Sequence, residues 1–208
     1  MKKIILLSAI VMVSCGPSAK FVARDYKKPQ IIALLPTNNQ TTDVNGAIVF
    51  RNLFYKKLED KEYAKLLDNT VVDSLLNEQG ITDGGQLAAI SKEDLFKTLP
   101  VDGLLFIDLL TCDYQTLGIS ETRKVEATFK LYVLPSKLAW EDERKVKEGK
   151  SAVESLFGAI ANPTEAVKES AKDFEKQVAA KGAKMWLMDH ELKPEMEKLI
   201  KKTLKTLP

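Results

Sequence analysis

Histidine and cysteine are nearly absent from this chain of 208 residues, which holds one of the first and two of the second. That scarcity excludes most zinc sites and multi-histidine metal centres. Net charge is missing too. Lys and Arg number 31 against 29 Asp and Glu, and two of the bases, Lys2 and Lys3, precede Cys15. From Cys15 onward the charges balance, whereas a general nucleic-acid binder needs a basic face against phosphates. No apolar run approaches the about 20 residues that cross a bilayer as a helix. Neither a Walker A loop, a G-x-G-x-x-G turn nor a G-x-S-x-G elbow occurs, and Gly84-Gly85 alone signals a turn. What is present is ordinary globular material, 45% hydrophobic and 29% charged, enough for one domain with a real core.

The N-terminus reads as an address. Met1-Lys2-Lys3 is a positive start, and Ile4 to Val13 is an unbroken apolar and small run. Its length suits the apolar region of a secretory signal. The run closes as Met12-Val13-Ser14-Cys15-Gly16, which resembles the bacterial lipobox. The resemblance implies cleavage before Cys15 and diacylation of its thiol, a role that needs a sulfur nucleophile. Two or three acyl chains anchor stably where one is marginal. Gly16 stands where an inner-membrane retention signal would place aspartate, so the resemblance implies an outer-membrane anchor facing the periplasm. The expected organisation is a signal peptide over 1–14, a lipidated tether over 15–29, an α/β domain over 30–148 and a helical extension over 149–208. With Cys15 lipidated, Cys112 has no disulfide partner and reads as a small buried hydrophobe on a strand.

Along the chain, Ile31–Leu35 is a short apolar run closed by Pro36, the mark of a buried first strand. Asp43 is placed to cap a helix carrying Val44, Ala47, Ile48, Phe54 and Leu58. Tyr63–Leu67 predicts a second strand, and Asp68 or Asn69 caps a helix ended by Gly80. Gln86–Leu99 predicts one or two short helices, restarted at Ser91. Val101–Leu110 shows no alternation, as in a strand covered on both faces. Glu121–Leu134 alternates, with Val125, Ala127, Phe129, Leu131 and Val133 on one face. A further strand runs from Leu138 to about Lys147. Beyond Gly149 the pattern turns helical, and Pro194 opens a last helix with Met196, Leu199, Ile200, Leu204 and Leu207 on one face and lysines around it. The order β-α-β-α-α-β-β-β predicts an α/β fold, a three-layer sandwich with a mixed sheet plus C-terminal helices.

Candidate chemistry is thin. Any Ser-His-Asp or Cys-His arrangement would have to use His190, which reads as an exposed or capping residue. Asp108 lies within an apolar strand, a costly place for a carboxylate unless it is paired or at the lip of the sheet. Asp102 shares its face but stands about 20 Å away along an extended strand, too far for a glycosidase pair. No catalytic residue, cofactor or metal is assigned. The Pro194 helix packs on the α/β domain or docks on a partner or an anionic membrane surface. Met185, Trp186 and Met188 form a core patch or, if exposed, an interface.

Ile32-Ala33-Leu34-Leu35-Pro36, Asp43-Val44-Asn45, Gly80-Ile81-Thr82, Val101-Asp102-Gly103-Leu104, Tyr114, Val125 with Ala127, and Leu138 with Trp140 occur in this order behind the lipobox. Together they resemble a family of bacterial envelope lipoproteins of unknown function, often encoded beside curli-secretion-channel-like lipoproteins. Ser136-Lys137 departs from that family's pattern, as do the lysine-rich C-terminal helices. The resemblance implies a fold similar to the N-terminal α/β domain of Tol-system and curli-secretion proteins, with no catalytic residues to carry over. The expected function is a non-enzymatic assembly or accessory factor of an envelope secretion or transport complex, partnered by the membrane and by other envelope lipoproteins. A periplasmic ligand-binding module, or a hydrolase using carboxylates around Asp108, is the alternative.

Overall fold

A computed structural model describes residues 19–117, 120–151 and 190–208. Seven strands form one mixed sheet in the order β1-β7-β6-β5-β2-β4, with β3 also on β5. They are β1 (Phe21–Val22), β2 (Ile31–Leu34), β3 (Asn38–Asn39), β4 (Lys65–Leu67), β5 (Gly103–Leu117), β6 (Ser120–Val133) and β7 (Lys137–Ser151). The helices are α1 (Gly46–Asp60), α2 (Asn69–Glu78), a 3₁₀ turn (Gly84–Ala89), α3 (Lys92–Thr98) and α4 (Lys193–Leu204). β2 runs parallel to β4 and β5, and β5, β6 and β7 form an antiparallel meander.

Two separate cores make the layers. On one face Phe50, Phe54 and Leu58 of α1 and Met196, Leu199 and Ile200 of α4 cover Leu105, Ile107, Phe129 and Trp140. On the other, Val72, Leu76, Leu87, Leu95 and Leu99 cover Ala33, Leu35 and Leu104. β2 and the start of β5 are thus covered on both faces, which is why their sequences show no alternation. β6 alternates as read: Val125, Ala127, Phe129 and Leu131 are fully buried, while Glu126, Thr128 and Lys130 are not.

Local signals behave as their chemistry demands. Asp68 accepts the Thr70 N–H at 2.8 Å and Ser91 the Asp94 N–H at 3.1 Å, so α2 and α3 start where side-chain acceptors satisfy the first free amides. Gly80 takes a positive φ of 77° after α2. Asp43 acts at a distance from its expected place. α1 begins with Asn45 as its N-cap, which makes no side-chain cap. Asp43 Oδ1 instead accepts from the backbone of Asn45 at 3.1 Å and Gly46 at 3.0 Å.

Three expectations change. The segment read as tether over 15–29 joins the fold by Phe21, where β1 pairs Phe21 with Glu141 and Val22 with Trp140. Ala23 donates its N–H to Ala139 O at 2.8 Å, and the Tyr26 hydroxyl bonds that of Tyr63. The end of the chain, read as part of an extension over 149–208, is integral, because α4 fills one face of the same core. β5 and β7 also run past their expected ends, carried by long pairing with β6. Met185, Trp186, Met188 and Cys15 lie outside the described residues.

Candidate functional site

Parallel neighbours β2 and β4 send their following helices to opposite faces of the sheet. Loops that diverge in this way open a crevice at the carboxyl ends of the strands, where α/β folds bind ligands. Here the crevice has a volume of about 540 Å³ and is lined by Pro36 and Thr37 after β2, Ile48 and Arg51 of α1, and Asn69 and Asp73 of α2. Gly84 closes one end. A Cβ there would stand 2.4 Å from the backbone of both Thr37 and Asn38, so only glycine permits this approach.

Polar atoms at this crevice are left over. Arg51 donates from Nη2 to Leu34 O and from Nη1 to Asp73, each at 2.8 Å, which ties the end of β2 to α2. Its Nε–H has no partner, nor have the buried Thr37 hydroxyl and Asn69 Oδ1. Native interiors rarely leave such groups unpaired, because each unmade bond costs about 1–3 kcal/mol. Beside them the rim is apolar and open: Val44 is 80% exposed and Ile48 53%.

A second cluster lies at the start of α1. Asp43, Cys112 and His190 bring their Oδ2, Sγ and Nε2 atoms within 4.8 Å of one another. A bulge builds it. On β5 Leu109 pairs with Ala127 and Thr111 with Glu126, so Leu110 is an extra residue. Ahead of the bulge, odd-numbered residues face α1 and α4; beyond it, Cys112 takes that face. The expectation that His190 merely caps or faces solvent is corrected. Its side chain is 13% exposed, and its Nε2 stands 2.5 Å from Asp43 Oδ2.

Hydrogen bonding decides what this cluster can do. Leu192 N–H donates to His190 Nδ1 at 3.1 Å, so the imidazole proton sits on Nε2 and is donated to Asp43. A metal on Nε2 would put the proton on Nδ1, facing the Leu192 N–H. Zinc ligands also stand about 3.3 Å or more apart, further than the 2.5 Å here. Cys112 donates to Asp43 Oδ2 at 3.4 Å rather than to the imidazole. Burial foremost, then the hydrogen bond and charge of Asp43, push its thiol up to about 12, which leaves almost no nucleophilic thiolate at neutral pH. The arrangement is a clamp that holds the approach to α4 against α1 and β5.

Burial raises the Asp43 carboxyl, but the hydrogen bonds from His190, Cys112 and the Gly46 N–H outweigh it, so it lies below the usual carboxylate range. A carboxyl depressed by folding stabilises above its unfolded value of about 3.9 and loses that contribution as pH falls through the folded value. Asp43→Asn is therefore expected to lower the urea midpoint most at pH 6. The gap to wild type closes toward pH 3, as urea titrations at the two values will read.

The carboxylates singled out from sequence are not brought together. Asp102 accepts the N–H groups of Gln30 and Ile31 at 2.8 and 2.7 Å and pins the start of β2. Asp108 accepts from Asn38 Nδ2 at 2.8 Å. It borders a cleft of about 160 Å³ lined also by Lys92, Lys130 and Tyr132, with no second acid among the described residues.

With this geometry in hand, a family model of GNA1162-like lipoproteins matches residues 20–195. The chain belongs to the GNA1162-like lipoprotein family. It is an envelope lipoprotein, in agreement with the resemblance read from Ile32–Pro36 onward. The crystal structure of lipoprotein GNA1162 from Neisseria meningitidis is 21% identical, with a TM-score of 0.54 over 65% of this chain and 97% of that one. That likeness shows the shared three-layer fold. A PelC dodecamer from Paraburkholderia phytofirmans (12% identity, TM-score 0.45, 91% of this chain and 94% of that one) is more distant. So is the LpoB C-terminal domain from Escherichia coli (10%, 0.40, 59% and 86%). No curated protein matches the chain.

Proposed function

We propose that this GNA1162-like lipoprotein is a non-enzymatic accessory factor, held by lipid on Cys15 at the periplasmic face of the outer membrane, that grips an extended segment of another envelope protein in the crevice between α1 and α2. The open crevice at the carboxyl ends of β2 and β4, with the exposed Val44 and Ile48 at its lining, carries this reading. Those two side chains supply an apolar rim suited to an apolar side chain of such a segment. The clamp at Asp43 supports the same reading, since its thiol and imidazole are engaged in holding elements together. Met185, Trp186 and Met188 are proposed as a further contact.

Two variants test it in cells. Cys15→Ala is expected to move the chain from the outer-membrane fraction to the periplasmic one. A photo-cross-linking side chain at position 44 is expected to give one discrete adduct with an envelope protein, lost on adding Ile48→Asp. Ile48 is exposed, so that change alters stability by only about 0.5 kcal/mol. Membrane retention of Cys15→Ala sinks the anchor, and an adduct that survives Ile48→Asp sinks the crevice.

A further inference from the structure

On the outer side of α1 and α4 lies a second groove, of about 830 Å³, with a chemistry opposite to that of the crevice. Five lysines line it, Lys57 and Lys61 from α1 with Lys198, Lys201 and Lys205 at α4, against two acids, Asp60 and Glu197. Only part of this charge is spent internally. Lys61 Nζ donates to Leu204 O at 2.5 Å and Lys198 pairs with Glu148. Lys28 extends the basic surface, its Nζ 4.7 Å from the Tyr63 ring that Lys61 approaches at 5.4 Å. Burial, then the charge of Lys28, hold the Lys61 ammonium below its usual range, the condition that an incoming anion relieves. In a chain whose charges otherwise balance, this concentration is a local feature.

The path of the N-terminal segment says what faces the groove. Ala19 and Tyr26 pack against the core beneath α1 and α4, on the same side of the sheet. β1 then fixes the segment to β7, and α4 packs on β7 as well, where Thr206 meets Asp142 at 2.7 Å. From Cys15 to Ala19 the chain spans at most about 14 Å. A lipid on Cys15 therefore keeps the domain, and with it the α1–α4 face, within reach of the bilayer.

We infer that the lysine groove between α1 and α4 docks on the anionic phospholipid headgroups of the leaflet that carries the Cys15 anchor. Ammonium groups on a surface held at the membrane are attracted to anionic headgroups, additively and within a Debye length. The acyl chains supply retention and the lysines supply orientation. The inference takes the anchor from the proposed function and is independent of what the crevice binds.

The test uses the full mature chain with Cys15→Ser, which carries no lipid, and vesicles of phosphatidylcholine with or without 30% phosphatidylglycerol. Co-flotation is expected at least tenfold stronger with the anionic vesicles and lost in about 0.5 M salt. Lys57→Gln, Lys201→Gln and Lys205→Gln together are expected to weaken it about tenfold or more. A control with the same change in net charge, Lys65→Gln, Lys97→Gln and Lys147→Gln, is expected to bind as Cys15→Ser does. All six positions are exposed or half-buried side chains, and circular dichroism verifies the fold. Equal binding to both vesicle types, or equal losses in groove and control variants, overturns the inference. The cross-linking result at the crevice is unaffected either way.

Discussion

Trp140→Ala is expected to lower the unfolding free energy by about 4 kcal/mol, the cost of emptying a large aromatic site in a packed core. Trp140 is fully buried on β7, where it meets Leu131 of β6 and Val22 of β1. Its ring centroid lies 6.3 Å from that of Phe129, which in turn stacks on Phe54 at 5.3 Å. One side chain thereby joins the meander to α1 and sits beneath the docked N-terminal strand. Its Nε1 has no hydrogen-bond partner, so the indole acts as apolar volume alone. Trp140→Phe is accordingly expected to cost only about 1–2 kcal/mol, since no bond is lost and a ring remains. Urea denaturation of the two variants decides it. Equal losses would mean that the indole N–H matters and that the volume argument is wrong.

Asp142→Ala is expected to cost about 3 kcal/mol or more, through a different mechanism. Asp142 is 1% exposed and is surrounded by donors: Arg144 Nε and Thr206 Oγ1 at 2.7 Å, and its own chain's Glu143 N–H at 3.0 Å. A buried carboxylate is tolerated because these groups replace water, and deleting one member of a buried charge pair strands the other's desolvation cost. Thr206 follows α4, so the same carboxylate also holds the end of the chain to β7. Thr206→Val removes one charge-assisted bond and is expected to cost about half as much. Denaturant titration gives the free energies, and amide exchange along α4 gives the location. If α4 protection falls no more than that of α3, Asp142 is not what secures the C-terminus.

These two sites differ in how far sequence exposed them. Trp140 sits among alternating residues, so its burial follows from period-2 patterning once Leu138 onward is a strand. Asp142 is on the same buried face, and patterning would have put an apolar residue there. Only the arrival of Thr206 and Arg144 at that spot makes it a place for a carboxylate. Asp43 shows a similar gap. Its capping chemistry was readable, but its hydrogen bond to His190, 147 residues away in sequence, was not. The crevice was invisible because it is the gap between two loops, set by β2 and β4 sending α1 and α2 to opposite faces.

By itself the sequence determined the local and compositional facts. Asp68 and Ser91 cap helices, Gly80 ends one, β6 alternates, β2 and the start of β5 are apolar on both faces, and the last helix has one buried stripe. Each depends on near neighbours in the chain or on a simple period, and hydrogen bonding and burial act there without long-range information. Tertiary structure alone decided the rest. Leu110 bulges out of register with β6 and turns Cys112 toward Asp43 and His190. Phe21 and Val22 find the edge of β7, so the sheet takes in residues ahead of Ile31, and α1 and α4 meet so that their lysines share one groove. These outcomes depend on strand register and on contacts between distant segments, whose energies are set only when the layers pack.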